Sequence, residues 1–138
     1  MAVYATLQNL LDRFGTDALL IAADRDGDGQ VDADVVEQAL ADADAEIDTY
    51  VGQQYQLPLP MVPRILTKLA VDIAFDTLSP EADTATEHRQ TRREKAVQLL
   101  KLIARGEVSL GIQQASPVSI KPEISSRPRR WGRDRRLT

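Results

Sequence analysis

Cysteine is absent from the 138 residues, which removes disulfides, thiolate metal sites and cysteine nucleophiles together. Aromatics make up only 4%, so a core must be built from leucine, isoleucine, valine and alanine. No apolar run approaches the roughly 20 residues needed to span a bilayer, so no membrane role is expected. The opening MAVYATLQNLLDRFG has no basic n-region and meets polar and acidic residues too early for a secretory signal. A protein made and used in the cytosol, or inside something assembled there, is expected. Histidine occurs once, at His88, in the charged first half of a helical stretch, and reads as a surface residue. A Gly-rich phosphate loop, G-x-S-x-G and H-E-x-x-H are all missing. Catalysis has little to stand on, and no enzyme is expected.

What is present suits one domain. The chain is 43% hydrophobic, enough for one ordinary core at this length. The net charge of −4 hides an asymmetry. Residues 1–111 carry 10 basic and 19 acidic side chains, whereas residues 112–138 carry 7 basic and 2 acidic. An acidic body of −9 with a tail of +5 divides the chain into a helical domain, 1–111, and an extended basic arm, 112–138.

The best-marked element is the stretch 34–54. On a 3.6-residue period, Val36, Ala39, Leu40, Ala43, Ile47, Tyr50 and Val51 form one apolar stripe. Glu37, Asp42, Asp44, Glu46 and Asp48 fall outside it and read as a solvated face; Asp34 with Glu37 reads as an N-cap and its capping partner. Pro58 and Pro60 force the chain out of helix afterwards. Before this, 7–14 reads as a short helix with Thr6 as N-cap and Gly15 as stop, and 16–23 as a second short helix or turn. After it, Pro63 opens a helix over 64–78 that is apolar on most sides, with only Lys68, Asp72 and Asp76 as a polar wedge. Such a helix is either central in its own bundle or covered on its second face by a partner chain. A linker over 79–85 leads to a charged helix from 86 or 87 to 105, stopped by Gly106. The fold expected is an all-α bundle of four to five helices, with a short edge strand open at 118–121 in the arm, where Val118 and Ile120 alternate with polar residues.

Two stretches are candidates for function. In DRDGDGQVD, Asp24, Asp26, Asp28 and Asp32 stand at positions 1, 3, 5 and 9 of a calcium loop, with Gly29 at position 6. Hard oxygen ligands at alternate residues wrap one cation, but position 12 is Val35, where a bidentate carboxylate is needed. The other reading is a solvated Asp/Gly turn. In the arm, Arg127, Arg129, Arg130, Arg133, Arg135 and Arg136 surround the single Trp131. Arginine with one aromatic docks an acidic protein surface, or contacts phosphates and stacks on bases. The acidic body disfavours nucleic acid, because it repels the phosphates that the arm attracts.

The ordered set Tyr4; Arg13-Phe14-Gly15; Ala39-Leu40-Ala41-Asp42-Ala43 with Ile47-Asp48 and Tyr50; Tyr55 with Leu57-Pro58-Leu59; Pro63; Asp72-Ile73-Ala74; Ile103-Ala104-Arg105-Gly106 with Val108, Leu110 and Gly111; and Arg133-Asp134 is similar to one family. Through it the chain resembles, over nearly its full length, the Mu-like phage and prophage head–tail connector, or head-completion adaptor, proteins. The resemblance implies a structural virion protein in the neck, between capsid and tail, assembled in the bacterial host cytoplasm. It implies a ring beneath the portal, dodecameric to match it, with the portal protein, neighbouring copies and the next neck or tail protein as partners. DNA would pass through the channel without specific binding. The family carries no catalytic residues to transfer, and an extended C-terminal arm commonly docks on the portal or on neighbours. Here that assigns docking to Ile120, Arg127, Arg129, Arg130, Trp131, Arg133 and Arg135. Two other readings stay open: a calcium-stabilised binding module using Asp24, Asp26, Asp28 and Asp32, and a nucleic-acid-binding protein using the Arg-rich tail.

Overall fold

Five helices account for the regular structure of the described residues, 2–78 and 87–112 of this computed structural model: α1 (Leu7–Phe14), α2 (Thr16–Ala23), α3 (Ala33–Val51), α4 (Arg64–Leu78) and α5 (Glu87–Ala104). No strand occurs among them, and the fold is a small all-α bundle. The edge strand expected at 118–121 lies outside the described residues.

Local chemistry sets the helix ends. The Thr6 hydroxyl accepts the Asn9 amide at 3.4 Å and the Asn9 side chain accepts the Thr6 amide at 2.9 Å, a reciprocal cap on the first turn of α1. Gly15, at φ +84°, ends α1 and starts α2 in one residue, a backbone that other L-residues rarely adopt. At the far end of the bundle, the Gly106 amide donates to Ile103 O at 3.0 Å and the Glu107 amide to Leu102 O at 3.0 Å. With Gly106 at φ +77°, this paired closure satisfies carbonyls that α5 would otherwise leave open.

One cap differs from expectation, and one start agrees with it. Helix α3 starts at Ala33 with Asp32 in the N-cap position, and Asp34 stands in the first turn, where its charge suits the helix dipole. The Asp32 carboxylate makes no cap bond because it accepts the Arg25 amide at 3.0 Å instead. Pro63 immediately precedes α4, and its carbonyl accepts the Leu66 amide at 3.0 Å.

The core runs through the middle of the bundle. Leu10, Leu19, Val36, Leu40, Ile47, Val51, Leu66, Ile73, Leu100 and Ile103 are fully buried. Each such aliphatic side chain contributes about 1.5–3 kcal/mol through its removal from water. Helix α4 packs against α3, α5, α1 and α2, so its own chain covers it nearly all round. Of the residues on its second apolar face, Val71, Ala74, Phe75 and Leu78 are buried within the bundle and Ile65 is partly buried against the core. Of the two readings of α4, the central helix holds.

Candidate functional site

Two carboxylates expected in solvent or in a polar wedge are buried. Asp44 accepts the Val3 amide at 2.5 Å and the Tyr4 amide at 3.3 Å, so it pins the N-terminal segment onto α3. One turn on, Asp48 accepts the Tyr4 hydroxyl. Burial pushes the Asp44 carboxyl above its ordinary value, against the two amides that favour the charged form; nearby Asp48 adds to the rise. Burial, and then the Asp48 contact, also raise the Tyr4 phenol. The expected solvated face therefore holds for Asp42 and fails for Asp44. Asp44 completes an i, i+3, i+4, i+7 pattern with Leu40, Ala43 and Ile47, which was the available signal.

The second buried acid, Asp72, forms the floor of a cleft between α1, α4 and α5. Arg13, Lys68, Leu69, Asp72, His88, Thr91, Arg92, Lys95, Ala96 and Leu99 line this cleft of about 390 Å³. Arg13 Nε lies 3.0 Å from Asp72 Oδ1, without the alignment of a hydrogen bond, and Nη2 donates to Oδ2 at 3.5 Å. Burial raises the Asp72 carboxyl above its ordinary value, and Arg13, Arg92 and Lys68 pull the other way. Phe14 stacks on Phe75 at 3.9 Å, and the Arg92 guanidinium sits 5.2 Å from the Phe14 ring. Arg93, one residue on, turns to the other side and pairs with Glu46 at 3.0 Å and Asp76 at 3.5 Å. Among the described residues, the cleft therefore holds Arg13, Lys68, Arg92 and Lys95, with His88 also lining it, over one carboxylate, Asp72. It was not read from the sequence. Arg92, Lys95 and Leu99 share a face of α5 by spacing, but only the fold brings that face to Arg13 and Lys68.

The Asp/Gly loop joins α2 to α3. Ligand oxygens of Asp24, Asp26 and Asp28 converge to within 4.8 Å of one another. Asp32 stands apart from this group, committed to the Arg25 amide. The loop also folds on its own carboxylates: Asp24 accepts the Gly27 amide at 2.8 Å and the Gly29 amide at 2.9 Å. Asp26 accepts the Asp28 amide at 3.1 Å, and Asp28 the Gln30 amide at 2.8 Å. Despite some desolvation, the Gly29 and Gly27 amides hold the Asp24 carboxyl below its ordinary value. Against the Asp28 amide, desolvation and the neighbouring Asp24 and Asp28 hold Asp26 above its own. Three converging carboxylates suit a hard cation chemically, while the twelfth position, Val35, lies within α3 and offers no carboxylate.

Ile120, Arg127, Arg129, Arg130, Trp131, Arg133 and Arg135, the candidate docking residues, lie outside the described residues. No helix among the described residues is long and apolar enough to cross a membrane.

The bundle, its pinned N-terminal segment and its charged cleft define a small helical protein built on an aliphatic core, with a few long-range polar pairs fastening its elements. Its chain belongs to the family described as Bacteriophage Mu, Gp36, which matches residues 4–125. It is 33% identical over 112 residues to the Mu-like prophage FluMu protein gp36 of Haemophilus influenzae, covering 81% of this chain and 78% of that protein. It is 32% identical over 121 residues to Gene product J of Escherichia phage Mu, covering 87% and 84%. The protein is thus a Mu-like phage protein. Several residues of the sequence resemblance are the fold's own fasteners: Tyr4 with Asp48, Arg13 with Asp72, and Tyr55, whose hydroxyl accepts the Leu110 amide at 2.9 Å.

Proposed function

We propose that the protein is a structural virion component, a head–tail connector that completes the head by forming a ring beneath the portal and linking the capsid to the neck or tail. The observation that carries this reading is the charge split, −9 over residues 1–111 and +5 over 112–138, within a chain of the Mu Gp36 family. An oppositely charged arm supplies binding energy where an acidic or apolar groove exists, and Trp131 is its anchor. Its partners are the portal protein, neighbouring copies in a dodecameric ring and the next neck or tail protein. DNA passes through the channel without specific binding.

Co-sedimentation with portal rings from the same phage or prophage tests this. The full chain sediments near one copy per portal subunit, and a truncation after Ile112, which keeps that residue packed on the core, does not. Binding by neither removes the connector reading. In the full chain, Trp131→Ala weakens attachment without unfolding the bundle; unchanged attachment removes Trp131 as the anchor.

A further inference from the structure

The cleft and the Asp/Gly loop lie on opposite sides of the bundle, and their charges are complementary. On the cleft side, exposed Arg13, Lys68, Arg92 and Lys95 face solvent over Asp72. On the other side, Asp34, Gln38 and Asp42 of α3 line a second groove of about 280 Å³ with Thr77 and Leu78 of α4 and Arg25 of the loop. The exposed Asp26 and Asp28 lie beside Arg25 in that loop. Helix α4 fixes the relation between the two sides. Lys68 and Thr77 are nine residues apart, which at about 100° per residue places them on opposite faces of this central helix. One face of the molecule is therefore basic and concave, and the opposite face is acidic.

We propose that the basic cleft of one copy receives the acidic α3 face of the next. This deepens the ring reading and rests on it, because two different, complementary patches on opposite sides of a subunit make a head-to-tail contact that closes into a ring when the rotation permits. Pairing like patches instead would set four cations against four cations, or acids against acids. A polyanion such as DNA is the weaker occupant. The cations are confined to a notch of about 390 Å³ with a carboxylate at its floor, and the body around them is strongly acidic.

Zero-length carbodiimide coupling of the full chain, free at high concentration and bound to portal rings, tests the contact. Mixed isotope-labelled and unlabelled chains separate couplings between copies from those within one. The expected products join Lys68 or Lys95 of one copy to Asp34 or Asp42 of another. Lys68→Glu with Lys95→Glu, and separately Asp34→Lys with Asp42→Lys, each weaken self-association on the order of a hundredfold. Mixing the two double variants restores a one-to-one pair. Circular dichroism checks that both variants keep the bundle.

Portal binding at full stoichiometry with neither the couplings nor the rescue overturns this contact and leaves the connector reading standing. The couplings and rescue without portal binding support the contact and remove the connector reading. Salt-dependent binding of generic duplex DNA that is lost in Lys68→Glu with Lys95→Glu, without rescue by the partner variant, assigns the cleft to phosphate and overturns the proposal.

Discussion

Arg13 and Asp72 are 59 residues apart in sequence, yet the Arg13 guanidinium reaches 3.0 Å from the Asp72 carboxylate, which is almost completely buried. The pair ties α1 to the central helix α4 and forms the floor of the basic cleft. Arg13 itself is partly exposed, so the pair is worth less than a fully buried one. Arg13→Ala leaves a buried carboxylate without its main partner and removes a side chain packed near Phe14. A loss of about 2 kcal/mol is expected in urea denaturation, with the midpoint shifted and the slope unchanged.

The pH dependence of this pair has a definite sign. Burial holds the folded Asp72 carboxyl above its unfolded value, so the folded state binds the proton more tightly. Its contribution to stability is complete below the unfolded value near 3.9, and is lost as pH rises through the folded value. Asp72→Asn, which does not ionise, should therefore gain stability relative to the parent as pH rises from the acid side to neutrality. Denaturation midpoints of both proteins across that window check it; a constant difference would remove Asp72 as the responsible group.

The N-terminal segment is held by Asp44 and Asp48 of α3. Tyr4→Phe removes only the hydroxyl contact to Asp48 and should cost about 1 kcal/mol. Asp44→Ala removes the acceptor for the Val3 and Tyr4 amides together and should cost more, about 2 kcal/mol. Hydrogen exchange at the Val3 and Tyr4 amides should rise in Asp44→Ala and change little in Tyr4→Phe.

The Asp/Gly loop makes its own turn bonds and lacks the bidentate carboxylate at its twelfth position. Calorimetric titration with calcium should show no saturation below about a millimolar. Saturable heat in that range, abolished by Asp26→Asn with Asp28→Asn, would instead make the loop a functional cation site.

The sequence by itself determined the helices and most of their ends. Thr6, Gly15 and Gly106 act on groups within about four residues, and apolar periodicity shows which face of α3 turns inward. Such signals are local, and the fold keeps them. The N-cap of α3 escaped because Asp32 and Asp34 both suit the position; Asp32 fills it without a side-chain cap bond, its carboxylate taken by the Arg25 amide.

Tertiary structure decided what local pattern does not contain. Asp44 is buried where an N-terminal segment 40 residues away brings two amides to it, and Asp72 where α1 and α5 pack on the central helix that carries it, with Arg13 as its ion-pair partner. The cleft exists because α1, α4 and α5 each contribute one cationic edge to the same place. Helix α4 proved to be central rather than partner-covered for the same reason. A carboxylate's burial, like a helix's covering, depends on which distant segments fold over it.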